Sequence, residues 1–174
     1  MAQTSPDNLW SPDPGSNANV PVATAAMQDT VQAALNRRSG TGIAFRNSSI
    51  AKPSTITPSQ SPLSNFTVSG TTVASTSNGF RILEDGIFVL SGRATFGTET
   101  GGTLVLAVQV NGSSANSFVH QNSIAENYTS VVTMTTINSL SAGDIITLAS
   151  GHTSGGPSGV RQETSARLTV TKLA

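Results

Sequence analysis

Few side chains in this sequence could do chemistry, and they are scattered. His120 and His152 are the only histidines; they are far apart, and neither stands in the H-x-x-x-H or H-E-x-x-H spacing that brings two imidazoles to one metal. There is no cysteine, which excludes thiolate ligands and disulfides. Asp144, His152 and the many serines include the residue types of a nucleophile, a base and an orienting acid, yet no G-x-S-x-G elbow presents a serine. Glu84 and Asp85 are adjacent, so at a strand end they point apart instead of flanking a scissile bond. The run 151–159 is rich in Gly and Ser but lacks the lysine and following helix of a phosphate-binding loop. The sequence therefore predicts a chain that is not an enzyme, with no catalytic residue, no metal and no cofactor.

Binding chemistry remains. Tyr128, the only tyrosine, suits stacking on a sugar or packing at a subunit contact. Asn116, His120, Tyr128 and His152 lie on or beside the polar stretches 97–102, 111–127 and 151–159, which makes these four the residues expected to face a receptor. Asp144 has a local explanation, since it follows Ser141-Ala142-Gly143 and an Asp there caps the backbone of the turn.

Elements must hold these residues, and composition limits what those elements are. The 174 residues suffice for one domain and a tail. Charged residues are 10% of the chain, against roughly a quarter in an average domain, so Ser, Thr, Asn and Gly must solvate the surface. Nine basic and nine acidic residues cancel, leaving no field to attract nucleic acid or an anionic membrane. A neutral surface also loses colloidal repulsion and favours assembly. Residues 1–10 show neither a basic nor an apolar export region, and no run of apolar residues is long enough to span a bilayer, so the expectation is no membrane insertion.

Residues 1–20 carry Pro6, Pro12, Pro14 and Gly15 and read as an extended arm. Leu9 and Trp10 are its apolar residues. An isolated arm cannot bury an indole, so Trp10 either folds back on its own subunit or anchors in a neighbouring protein. Residues 21–38 read as a helix: proline in the first turn, several alanines, and Arg37 and Arg38 at the C-terminal end of the dipole. Met27, Val31, Ala34 and Leu35 form one apolar stripe, which must pack on the head, join copies in a bundle or dock on another protein. Residues 39–64, with Pro53, Pro58 and Pro62, read as a linker containing a short strand at 43–45.

From residue 65 to 174 the pattern becomes alternating. Phe88, Leu90, Ala94 and Phe96 share one face with Gly92 among them, and Ile87, Val89, Ser91 and Arg93 share the other. Leu104, Leu106, Val108 and Val110 repeat the device before the turn pair Asn111-Gly112. Further strands fall at 128–140, 145–149 and 166–172, the last with Ala166, Leu168 and Val170 inward, and weaker ones at 66–68, 72–74, 79–82 and 117–120. The fold class expected is all-β, a sandwich or jelly roll of about eight strands.

Two blocks sharpen this. Gly79-Phe80-Arg81-Ile82-Leu83-Glu84-Asp85-Gly86-Ile87-Phe88 and Leu140-Ser141-Ala142-Gly143-Asp144-Ile145-Ile146-Thr147-Leu148 resemble, in order and separation, motifs of the C1q/tumour-necrosis-factor-like jelly roll, and 166–170 resembles its last strand. The resemblance covers about 66–174 and implies a homotrimeric head. Independently, Leu9-Trp10-Ser11-Pro12-Asp13-Pro14-Gly15, followed by the alanine-rich helix, resembles the N-termini of minor tail proteins of bacteriophages. It implies that 1–38, through Leu9, Trp10, Met27, Val31 and Leu35, anchors to another virion structural protein. Together they suggest a trimeric tail or baseplate fibre tip of a phage particle, assembled in the host cytoplasm, that meets a host surface glycan or protein. The alternative is a capsid decoration or head-fibre protein whose arm docks on the shell.

Overall fold

In a computed structural model, residues 40–99, 102–123, 128–153 and 160–173 are described. The predicted arm and helix, with Leu9, Trp10, Met27, Val31 and Leu35, lie outside the described residues. The described part belongs to one compact unit, Asn36–Ala174.

Its twelve strands are β1 (Gly40–Arg46), β2 (Ile50–Pro53), β3 (Thr55–Gln60), β4 (Asn65–Gly70), β5 (Val73–Ser75), β6 (Gly79–Ile82), β7 (Gly86–Glu99), β8 (Thr103–Val110), β9 (Ser113–Ser123), β10 (Tyr128–Leu140), β11 (Ile145–Thr153) and β12 (Val160–Lys172). All but β3 form two antiparallel sheets. The first runs β10-β7-β12-β1-β4, with β2 added on β12, and the second runs β5-β6-β11-β8-β9. The chain passes repeatedly from one sheet to the other, as in a jelly roll.

Period-two alternation builds the core between the sheets. The first sheet contributes Ala44, Phe88, Leu90, Ala94, Phe96, Leu168 and Val170, and the second Phe80, Ile82, Leu104, Leu106, Val108, Ile146 and Leu148, all fully buried. Two glycines on these stripes make room for larger neighbours. The Phe80 ring lies on Gly42, where a Cβ would come within 2.6 Å of Cε1, and at Gly92 a Cβ would lie 2.8 Å from Leu148 Cδ1.

The stretch 39–64 is not a linker. β1 is an interior strand, paired with β12 on one side and β4 on the other. β2 pairs with the N-terminal part of β12 and ends at Pro53, an edge position where a missing N–H is harmless. β3 lies against β11 and β8 on the outside of the second sheet. Gly151 accommodates it, since a Cβ there would meet the Thr55 carbonyl oxygen at 2.9 Å. This cover explains why Val105, Ala107 and Ala149 are buried although they face away from the core.

One end of the sandwich is tied by turn chemistry. Asn111 and Gly112 have φ of 56° and 66°, the left-handed pair of a two-residue hairpin between β8 and β9. Asp144 accepts a hydrogen bond from Ser141 N at 2.8 Å and another from Asn111 Nδ2 at 2.8 Å. Asp85 accepts one from Ala142 N at 2.7 Å, and Glu84 pairs with Lys172 at 3.0 Å. The acidic residues considered for catalysis thus hold turns and a strand end.

Candidate functional site

His152 does not face solvent. It is fully buried on β11, its Nε2 donates to the Lys52 carbonyl at 2.7 Å, and its ring meets Phe96 edge-on with centroids 6.3 Å apart. The expectation of a receptor-facing residue there is overturned because His152 shares the inward face of β11 with Ile146 and Leu148 and points between the sheets toward Phe96. Asn116 and His120 lie on β9, His120 opposite Leu106, while Tyr128 opens β10 opposite Glu99. The side chains of these three fall outside the described set.

Beside His152 lies a buried charge cluster that sequence reading missed. Glu163 on β12 is fully buried and pairs with Arg46 from β1. Its other oxygen accepts from Ser61 Oγ at 2.8 Å and from Ser150 Oγ, and Lys52 Nζ stands 4.0 Å away. Lys52 donates to the carbonyls of Ser59 and Gln60 at 2.8 and 2.7 Å, which clasps β2 to the end of β3. Burial pushes the Lys52 ammonium below its ordinary pKa, Glu163 draws it back up, and Arg46 adds to the lowering. Arg161 is buried nearby, donates to the Gly97 carbonyl at 2.9 and 2.7 Å, and stands 5.9 Å from the Phe96 ring centroid. The cluster has the residue types of acid–base chemistry. Its serines, however, donate to a carboxylate already bound by arginine, and no imidazole nitrogen is shown on a serine hydroxyl, so the arrangement pins 46–61 to β11 and β12. Among the described residues no group of three or more potential ligands is arranged for a metal.

The surface that calls for a partner is the outer face of the first sheet. Of the large exposed apolar residues, Phe45, Ile87, Val131, Ile137 and Leu173 all fall there by strand alternation, with Ile137 63% and Leu173 56% accessible. Partly covered Ile43 and Val89 continue the patch. On the second sheet β3 covers the middle, over β11 and β8. Serine and threonine fill the rest of the face in cross-strand rows. One row runs Thr135, Ser91, Thr169, Ile43, Thr67. The Thr135 hydroxyl donates to Ser91 Oγ at 3.1 Å.

Two arginines stand near the middle of this face. Arg93 on β7 and Arg167 on β12 are directly opposite each other, both exposed. They line two shallow depressions, one of about 430 Å³ with Ile43, Phe45 and Ser165, the other of about 310 Å³ with Ser91, Thr133 and Thr169. Alternation placed Arg93 on the outer face of its strand, but the register that sets Arg167 against it joins distant parts of the chain and leaves no local signal.

No protein-family model matches this chain, and no curated protein matches it. Solved structures do. The globular domain of zebrafish complement 1qA is 14% identical with a TM-score of 0.56, over 78% of this chain and 98% of that one. Murine APRIL at pH 5.0 is 16% identical with a TM-score of 0.51, over 76% of this chain and 99% of that one. The fold is therefore a jelly roll of the C1q/tumour-necrosis-factor type, as the two sequence blocks implied.

Proposed function

We propose that this chain is a non-enzymatic structural protein of a bacteriophage particle, a homotrimer that serves as a tail or baseplate fibre tip and meets the host surface through polar loops. The observation that carries the trimer is the apolar and hydroxyl-rich outer face of the first sheet, left open by a single chain while β3 covers β11 and β8 on the opposite face. A second copy is the occupant that suits it. The chain has no net charge to oppose self-association, and the jelly-roll type it shares is one whose members typically form trimers. The phage assignment rests on the N-terminal segment, whose Trp/Pro turn and alanine-rich helix resemble those of minor tail proteins. Three copies would present each weak receptor contact three times and gain avidity without a new contact. Electron microscopy of particles labelled with antibody to the chain tests the placement. Label at one tail end in a few copies supports the fibre tip; label spread over the shell, or absent from every particle, overturns it.

A further inference from the structure

The arginine pair is a conflict inside the proposed contact. Like charges directly opposite on adjacent strands destabilise a sheet by repulsion. Burying two guanidinium groups between copies without a counter-charge would cost several kcal/mol. Among the described side chains no carboxylate is left to neutralise them. Glu163 is committed to Arg46, Glu84 to Lys172, and Asp85 and Asp144 to turn N–H groups. Among the described residues neither Arg93 nor Arg167 has an ion pair. Beside them, the hydroxyls of Thr133 and Thr169 make no hydrogen bond to a described residue. Two forked guanidinium groups and two hydroxyls on one depression form a donor-rich site, the chemistry that recognises a tetrahedral oxyanion.

We propose that Arg93 and Arg167, with Thr133 and Thr169, bind a small free oxyanion of the phosphate or sulfate class, which neutralises the pair as copies associate through this face. The proposal rests on the homotypic contact above and adds that assembly takes up an anion. Each chain supplies a complete pair of guanidinium groups, so the site does not require a residue from a neighbour. Every described carboxylate is already engaged, and a free anion is the occupant the proposal commits to.

Sedimentation of the full chain at constant ionic strength, with inorganic phosphate replacing chloride, tests it. Phosphate should lower the protein concentration at half-assembly by about tenfold, the equivalent of one charge-assisted hydrogen bond. In Arg93→Gln/Arg167→Gln the phosphate effect should vanish, while assembly in chloride is at least as tight as in the parent, because the repulsion is gone. Both arginines are exposed, so the variant folds. Circular dichroism and an unchanged thermal midpoint of the dissociated chain verify that it does. Assembly that ignores phosphate, or a phosphate response that survives in the double variant, overturns the oxyanion site and leaves the trimer standing. A chain monomeric in both buffers overturns the trimer; calorimetric titration with phosphate then decides the site alone, and no heat of binding overturns it.

Discussion

The residue that most depends on its surroundings is Glu163. It sits in the interior with Arg46, Ser61 and Ser150 on its two oxygens, and its pairing holds three segments distant in sequence. Removing one member of a buried pair strands the other charge, so Arg46→Met should lower unfolding free energy by about 3–5 kcal/mol in a denaturant titration. A loss under one would show that water reaches Glu163. Lys52 gives the cluster a pH signature. Burial holds its folded pKa below the unfolded 10.5. Between the folded value and 10.5 the unfolded chain therefore binds more protons, and stability rises with pH in that window. Below the folded value both states are protonated and the gain is absent. Lys52→Met should flatten the alkaline rise in thermal midpoint; an unaltered slope would assign it to another group. None of this was legible in the sequence. A buried charge is written by partners that tertiary contact brings together, and Arg46, Lys52 and Glu163 carry no local mark distinguishing them from solvated residues.

At the scale of elements, legibility followed the hydrophobic period. β7, β8 and β12 declare themselves by apolar residues at every second position and β10 by its Thr/Val content, and Asn111-Gly112 and Gly143-Asp144 mark their turns through backbone chemistry that needs no tertiary help. β1 was legible only as a short strand at 43–45 and β2 and β3 not at all, because Pro53, Pro58 and a Ser/Thr background mimic a linker. They are structured by pairing to β12, by packing on β11 and by the buried cluster. β8 is buried on both faces for the same reason, since β3 covers Val105 and Ala107. Gly92 tests the packing between sheets. A side chain there would press on Leu148 and Val108, so Gly92→Val should destabilise by about 1–3 kcal/mol through overpacking, read from the denaturant midpoint. A neutral outcome would mean that the two sheets can separate locally at little cost.

For the whole molecule, the two outer faces differ, and that difference organises the account. One carries β3 over its β11 and β8 strands; the other keeps Phe45, Ile87, Val131, Ile137 and Leu173 in water. The jelly roll was foreseeable from two turn-and-strand blocks in order. The exposed patch was foreseeable only in part, since the outward set of β7 could be read but its neighbours across the sheet depend on register. Ile137 is 63% accessible, so Ile137→Asp should leave the fold intact while placing a charge in the contact between copies. Dissociation to monomer with an unchanged circular dichroism spectrum is the expected result, and a variant that associates as the parent does would place the contact elsewhere. The most direct measurement is sedimentation equilibrium of the unaltered chain across a wide concentration range. The account predicts a limiting mass of three times the 17.7 kDa chain mass as concentration rises; a monomer at every concentration would contradict it.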